Sequence, residues 1–291
     1  MRPSPRVCSL PYFVDSAHWF ACLADWEAPV WLDSGHPGSH YGRFDILAAE
    51  PHTQLTGRDA HCDIQRRGQP SERRESPPLD VVRELMPAPL SPLAEIPFAT
   101  GAIGYFGYDL ARRLERLPEQ AAADITLPDL WLGFYDWAVV QDHQTAQAYL
   151  VTRPEQDIEP LRARLLAREP EKALENFLEE TGNRFNINAF KAELSAYSYH
   201  KKLNRILDYI HAGDCYQINL AQRFHADYQG NPARAFLALR QALPSPFSGF
   251  IPLADGAVIS LSPERFIALH DGQAETRPIK GTAPRRSDPE A

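Results

Sequence analysis

The sequence predicts a mixed α+β chain whose strands pair antiparallel, and three observations carry that expectation. Short β-like runs recur around turn residues, most plainly the two runs bracketing Asp271-Gly272, and Asp-Gly between such runs is a strong local hairpin signal. A helix stands between runs of this kind: Tyr199, Leu203, Ile206, Leu207 and Ile210 fall at i, i+4, i+7, i+8 and i+11, which is one helical face. The 291 residues, 44% hydrophobic and 23% charged, are ordinary for a globular chain able to bury a large core. The formal charge of −8 leaves no basic footprint for nucleic acid, so an anionic ligand must be drawn in by a local cation. No apolar run approaches the roughly 18 residues of a membrane span. The start, Met-Arg-Pro-Ser-Pro-Arg, leads into no signal-peptide core. Cys8, Cys22, Cys62 and Cys215 show neither metal nor redox spacing and read as reduced thiols of a cytoplasmic protein.

In chain order, residues 7 to 14 predict an edge strand, because Pro11 bars a central position. Asp15-Ser16 is placed to cap a short helix through about Leu23. Val30-Trp31-Leu32 begins a strand that ends at Asp33-Ser34-Gly35. The run from Tyr41 to Pro51 reads as a strand buried on both sides. Gly68 to Pro78 is polar, charged and flanked by proline, as in an exposed loop, and Leu79 to Met86 is a short amphipathic helix. In Gly101-Ala-Ile-Gly104-Tyr-Phe-Gly107-Tyr-Asp109 the glycine spacing matches neither a dinucleotide fingerprint nor a Gly-Lys-Ser/Thr loop. Close strand packing before a helix over Leu110 to Leu117 is the expectation there. Asp129 to Gln141 and Ala148 to Thr152 form a strand pair around Asp142-His143. Pro154 to Glu180 is charged and helix-rich, with Leu161, Leu165 and Leu166 on one face, as in a solvated connector. Gly213 is placed to end the 199–210 helix. Cys215 to Phe224 alternates as a strand, Asn231-Pro232 opens a helix through about Leu243, and strands follow at Phe247 to Pro252 and Ala257 to Leu261.

The stretch from Ser260 to Thr282 holds the chemistry. It runs Ser-Leu-Ser-Pro-Glu264-Arg-Phe, a strand, the Asp271-Gly272 turn, a second strand, and Pro-Ile-Lys280-Gly-Thr. A two-residue loop would pair 270 with 273 and put Glu264 and Lys280 on opposite faces. A three-residue loop, His270 to Gly272 with the glycine left-handed, pairs 264 with 278 and leaves Glu264 and Lys280 on one face, with Cβ atoms roughly 7 Å apart. The three-residue loop is expected, because one small substrate must meet both side chains. Gly281 lets a ligand approach the backbone, and Thr282 adds a hydroxyl beside the amine.

Ser-Pro-Glu-Arg-Phe followed by Pro-Ile-Lys-Gly-Thr resembles the chorismate-utilising enzymes. Lys280 resembles their aminodeoxychorismate synthase branch, whereas anthranilate synthases typically carry alanine there. The likeness covers the whole chain and includes the Gly-x-x-Gly-Tyr-x-Gly-Tyr-Asp segment. It implies stacked antiparallel sheets with helices outside, and a chain truncated at its C-terminus that is expected to be an inactive fragment of the enzyme. The organisation implied is an N-terminal-like region over 1–150, a helical connector over 151–187 and the start of a chorismate-binding region over 188–291, the halves sharing one core.

By this resemblance chorismate is aminated with ammonia from a glutamine amidotransferase partner. Lys280 adds at ring carbon 2, and Glu264 protonates the departing 4-hydroxyl. A lysine is only about one part in 2,500 neutral at pH 7, a penalty of roughly 4.6 kcal/mol, so burial or a cation such as Arg277 must lower its pKa. Glu264 needs the opposite shift, which an apolar setting of Leu261 and Phe266 would supply; its other reading is structural pairing with Arg265 or Arg277. Magnesium is implied between carboxylate substrate and carboxylate side chains, with ligands outside this chain. A tryptophan site is implied by Leu32-Asp33-Ser34, Tyr41-Gly42-Arg43-Phe44 and Pro246-Phe247-Ser248. There Ser34 would hold the polar end and Phe44 or Phe247 the ring, with Asp33 departing from the family's pattern. The competing readings are an anthranilate synthase and a non-catalytic tryptophan-binding or partner-docking fragment.

Overall fold

The computed structural model describes residues 2–93, 95–118, 124–182, 185–279 and 281. Strand β1 (Arg6–Leu10) stops before Pro11 and lies at a sheet edge, as its proline demands. Helix α1 (Ala17–Leu23) is capped by Asp15, whose Oδ1 accepts from the Ala17 N–H at 2.9 Å, while the Ser16 hydroxyl is used elsewhere. Strands β2 (Val30–Asp33) and β3 (Phe44–Ala48) pair antiparallel, so the 41–51 run yields a strand only in its centre. Strands β4 (Thr53–Arg58) and β5 (His61–Arg66) form a hairpin to which β6 (Glu72–Arg74) adds an edge. The supposed 68–78 loop thus contains a strand, because its charges pair across the ladder: Arg73 with Asp63 at 2.7 Å and Arg66 with Glu72 at 2.6 Å. Helix α2 (Pro78–Leu85) begins on its proline.

Strand β7 (Gly101–Phe106) pairs with β8 (Leu130–Tyr135). A Cβ at Gly104 would lie 2.0 Å from the Trp131 carbonyl oxygen, so the glycine serves close strand approach, and no phosphate loop forms. The following helix is a 3-10 turn over Tyr108–Arg113 and does not reach Leu117. The apolar 129–141 run is two strands in two sheets, β8 and β9 (Trp137–Asp142), which part at Asp136. Strand β10 (Gln147–Thr152) pairs with β9 from Gln147 opposite Asp142, which moves the turn from 142–143 to 143–146.

Helices α3 (Ile158–Leu166) and α4 (Pro170–Glu180) are no solvated connector: Ile158, Leu161, Leu165 and Ala173 are buried in the same core as α1. Their charged residues supply only the outer face. Next come two-residue strands β11 (Asn186–Ile187) and β12 (Lys191–Ala192), helix α5 (Ala196–Ala212), and β13 (Phe224–His225) and β14 (Tyr228–Gln229). Ser195 caps α5, and Gly213, at φ 80°, ends it. Its apolar stripe is where the periodicity puts it, yet no α5 residue is buried. The strand read over 215–224 is absent except at Phe224.

Helix α6 (Pro232–Ala242) is capped by Asn231 through the Ala233 N–H at 2.9 Å. Strands β15 (Phe247–Leu253) and β16 (Gly256–Ser262) follow, and β17 (Ala268–His270) and β18 (Gln273–Glu275) make a separate small hairpin.

Two antiparallel sheets dominate, a seven-stranded one in the order β1-β10-β9-β3-β2-β15-β16 and a five-stranded one in the order β6-β5-β4-β8-β7. Their facing sides share one core, Val30, Ala48, Val140 and Ile251 meeting Ile103, Trp131 and Tyr135. Residues of α1, α3, α4 and α6 pack on the outer face of the larger sheet, and Val81 of α2 on that of the smaller. This is the expected stacking of antiparallel sheets inside with helices outside. The outer core joins Leu10 through Ala173 to Ala233, Phe236 and Phe250, so both parts of the sequence share it. Among the described residues no helix is long and apolar enough to cross a membrane.

Phe236 is fully buried, stacked on Phe250 at 5.5 Å and edge-on to Trp31 at 5.1 Å. Phe236→Ala is expected to cost about 3–5 kcal/mol in urea unfolding. Tyr216→Ala, at a fully exposed position, is expected to stay within about 0.5 kcal/mol of the parent.

Candidate functional site

The residues expected to act on chorismate lie at the end of the described chain. Lys280 and Thr282 fall outside the described residues. Gly281 is exposed, and nothing stands within 4 Å of where its Cβ would be. The turn before them corrects the expected loop: His270 pairs with Gln273 and Ala268 with Glu275, a two-residue loop with Asp271 at φ 48° and Gly272 at φ 75°. Both positive angles mark the primed turn that Asp-Gly favours, since its twist matches that of the strands. The expected three-residue loop is therefore corrected to two residues, and the diagonal contact built on it involves Lys280, which lies outside the described residues. Pairing ends at Ala268 and Glu275, so Glu264 is not in the ladder at all.

Glu264 sits half-buried in the link between β16 and β17, held by a local turn in which the Ser262 hydroxyl donates to its carbonyl at 2.8 Å. Neither arginine named for a structural pair reaches it: Arg265 and Arg277 both turn to Glu275. The apolar setting expected from Phe266 is missing, because that ring is 89% exposed, while Leu261 packs toward the outer core.

The second set of residues does converge. Ser248 of β15 stands opposite Asp33 of β2, and a Cβ on Gly35 would lie 2.6 Å from Ser245 N. Gly42 closes on the same turn, where a Cβ would meet Ser34 O at 2.6 Å. Ser34 and Ser248 are buried, and the Ser248 hydroxyl donates to Ser245 O at 2.9 Å. Arg43 donates from Nε and Nη2 to the two Asp142 oxygens at 3.1 and 2.9 Å and lies 4.4 Å over the Phe44 ring. Phe44 packs toward the core between the sheets, whereas Tyr41 is 78% exposed and Phe247 sits exposed at the start of its strand. Pro246 is half-buried beside it.

Behind this loop is a polar network that the sequence reading missed. Asp45 of β3 accepts from Ser16 Oγ at 2.5 Å, Ser34 N at 2.8 Å, Ser34 Oγ at 2.7 Å and His143 Nε2 at 2.9 Å. The Tyr12 hydroxyl lies 2.8 Å from His143 Nδ1, and His36 stacks on His143 at 4.1 Å. Asp33 accepts from Arg240 Nε at 2.9 Å and Nη2 at 2.5 Å, and Arg240 Nη1 donates to Asp15 at 2.7 Å. Two signals were available: an aspartate inside an apolar strand run, and an arginine four residues after Phe236 on the buried face of its helix. A charge in either place needs a partner.

Burial would raise Asp45, but the hydrogen bond and charge of His143, then Ser16 and the Ser34 N–H, hold it below the ordinary carboxylate value. Asp33 goes the other way: burial and the Asp45 charge push it up to about 6 against the pull of Arg240. Burial and neighbouring His143 lower His36. Elsewhere, a cleft of about 430 Å³ opens among Glu27, Gln54, Arg58, Trp131 and Asp255, and it contains none of the predicted site residues. Among the described residues no group of three or more His, Cys, Asp or Glu is placed to hold a metal ion.

Residues 27–291 match the family of chorismate binding enzymes, and the chain belongs to that family. It is 40% identical over 99% of its length to the aminodeoxychorismate synthase component 1 of Salmonella typhimurium and, over the same share, to that of Escherichia coli. It is 36% identical over 92% of its length to the anthranilate synthase component 1 of Thermus thermophilus. The chain spans 62% of the length of the first two relatives and 60% of the third. Among solved structures, anthranilate synthase component I from Streptococcus pneumoniae superposes with a TM-score of 0.63 at 25% identity, over 81% of this chain and 54% of that one.

The two carboxylates have opposite pH signatures. Asp45, held low, contributes stability that is complete above its unfolded value near pH 4 and is lost as the pH falls through its folded value. Asp33, held high, contributes stability that is complete below about pH 4 and is lost as the pH rises through about 6. Urea midpoints measured from pH 2.5 to 7 are thus expected to fall less steeply below about pH 4 in Asp45→Asn than in the parent.

Proposed function

We propose that this chain is part of an enzyme with the chorismate-aminating activity of aminodeoxychorismate synthase component 1, in which Lys280 is the nucleophile and Glu264 the proton donor, and that these 291 residues by themselves are an inactive fragment. The observation that carries the reading is the 40% identity to that component across 99% of the chain, with lysine standing in Pro-Ile-Lys-Gly-Thr. Glu264 supports it as well, since both nearby arginines are engaged by Glu275 and its carboxyl has no ion pair among the described residues.

The chemistry is a pair of displacements. The neutral Lys280 amine attacks ring carbon 2, the two ring double bonds shift, and the 4-hydroxyl leaves as water with the proton Glu264 gives up. Ammonia then attacks carbon 4, the double bonds shift back, and the lysine amine departs from carbon 2, which returns nitrogen to the face the hydroxyl held. A glutamine amidotransferase partner would supply the ammonia. Magnesium would offset the carboxylate charge of the substrate, with its ligands outside the described residues. Gly281 and Thr282 would line the substrate. The loop of Ser34, Tyr41, Gly42, Arg43 and Phe44 with Pro246, Phe247 and Ser248 would bind tryptophan, apart from the catalytic stretch.

The second reading, an anthranilate synthase, is favoured by the Thermus thermophilus relative and the Streptococcus pneumoniae structure. Mass spectrometry of the intact enzyme after incubation with chorismate and no ammonia separates the two. The expected product is a peptide bearing Lys280, heavier by chorismate less one water, and absent from Lys280→Met. Aminated chorismate formed from ammonium salts without that adduct, or undiminished in Lys280→Met, would overturn the lysine role. Anthranilate as the product would favour the second reading.

A further inference from the structure

The cleft of about 430 Å³ opens between the two sheets, and none of its lining residues belongs to the catalytic stretch or to the loop at Ser34. One wall is β4 with β8; the other is the chain before β2 and the turn joining β15 to β16. On β4, Thr53 and Leu55 are buried, Leu55 in the core that Val81 of α2 shares. Alternation turns Gln54, Thr56 and Arg58 to the opposite face, where Thr56 stands directly across from Trp131. Elsewhere on that face Ile103 and Tyr135 meet the larger sheet, so a polar row interrupts an otherwise apolar contact. Burying such groups unpaired is costly, and the sheets stay apart there.

The first wall donates. Trp131 is 5% exposed, and its indole N–H differs from those of Trp19 and Trp26, which are sealed in the protein. The Trp131 N–H is not sealed and no described residue accepts from it, so the one polar atom of this buried side chain gives onto the cleft it lines. Arg58 donates from Nη2 to Thr126 O at 2.5 Å, which leaves Nε, Nη1 and a charge with no ion pair among the described residues. The Thr56 hydroxyl lies between these two on the sheet. The second wall accepts. Glu27 Oε1 takes Gln54 Nε2 at 2.6 Å and its other oxygen is free, while Asp255 has no ion pair among the described residues. This wall is pinned, since the Glu50 N–H donates to Glu27 O at 2.7 Å and the Tyr135 hydroxyl to Ala28 O at 2.8 Å. Pro29, Pro252 and Leu253 make the rest of that wall aliphatic.

We propose that this cleft binds a small zwitterion with an aliphatic body, the chemistry of a free aliphatic amino acid. Its carboxylate meets Arg58, Thr56 and the Trp131 N–H, and its ammonium meets Glu27 and Asp255. Either charge alone would satisfy one wall and leave the other unpaired, whereas a zwitterion gives each a charge-assisted partner. The volume is that of a small-molecule site.

Calorimetric titration of the 291-residue chain tests it with three probes: L-leucine, 4-methylpentanoate, which lacks the ammonium, and 3-methylbutylamine, which lacks the carboxylate. L-leucine is expected to bind at least about tenfold more tightly than either analogue, the size of one charge-assisted hydrogen bond. Arg58→Met is expected to weaken L-leucine and 4-methylpentanoate about tenfold and to leave 3-methylbutylamine unchanged. Asp255→Asn is expected to do the reverse, weakening L-leucine and the amine and sparing the acid. Both side chains are exposed, so the fold is expected to survive their replacement. Should loss of the Thr126 contact unfold Arg58→Met, Thr56→Val removes a donor from the same wall and is expected to show the same selectivity. No binding of L-leucine, analogues as tight as L-leucine, or substitutions that weaken acid and amine alike would each overturn the proposal. So would L-leucine binding that none of these substitutions moves, which would place the ligand elsewhere. None of these outcomes bears on Lys280 or on the loop at Ser34.

Discussion

Two carboxylates buried at the centre of the larger sheet constrain the rest of this structure. Removing a carboxylate from water costs several kcal/mol unless charge and hydrogen bonds replace the lost hydration. Asp33 and Asp45 sit on adjacent strands, so each also bears the repulsion of the other, which adds to burial in raising the Asp33 carboxyl. Their partners must come from elsewhere. Ser16 precedes α1, Ser34 begins the loop after β2, His143 follows β9, and Arg240 is on α6, 207 residues from Asp33. Ion pairs of this kind add little net stability compared with apolar packing, yet every arrangement that leaves one unpaired is heavily penalised. They therefore select how helices and strands dock, and they fix α6 and β15 against the N-terminal strands.

What the sequence discloses depends on whether an element satisfies itself. Helix α5 closes its hydrogen bonds locally, so its face, its Ser195 cap and its Gly213 stop could be read and are present although no residue of the helix is buried. The 215–224 segment has the period of a strand but pairs among the described residues only at Phe224, and alternation alone makes no ladder. The reverse holds at 68–78, where a polar stretch became a strand because β5 offered matching charges. Likewise the 129–141 run could not reveal that Asp136 divides it between two sheets, since both halves are apolar on both faces. Local chemistry was legible, and pairing was not.

The hairpin at Asp271-Gly272 shows a different failure. Its residues favour the two-residue primed turn, and that turn is what forms. The bulged alternative would serve a substrate better, but backbone twist and the left-handed preference of Asp-Gly decide the turn. The candidate site was legible as motifs, Glu264 and Lys280 by residue and Ser34 with its loop by position, but not as a register. The network behind Ser34 is hidden in the sequence because the partners of Asp45 come from separate segments, Ser16, Ser34 and His143, that no local pattern links.

The two candidate sites differ in how far the described residues complete them. Around Ser34 the packing is finished: its hydroxyl, its amide and the carboxylate behind them are buried and partnered, and strands from both parts of the sequence meet there. Around Glu264 it is not, with Phe266, Ile267, Leu269 and Ile279 exposed. A proton donor whose pKa must rise needs an apolar, water-poor setting, and exposed apolar side chains provide one only once something covers them. The ligand binding proposed at Ser34 thus rests on geometry already in place, while the acid role proposed for Glu264 needs burial that the described residues do not supply among themselves. The two proposed roles need not rise and fall together, and binding at the first site can be judged without turnover at the second.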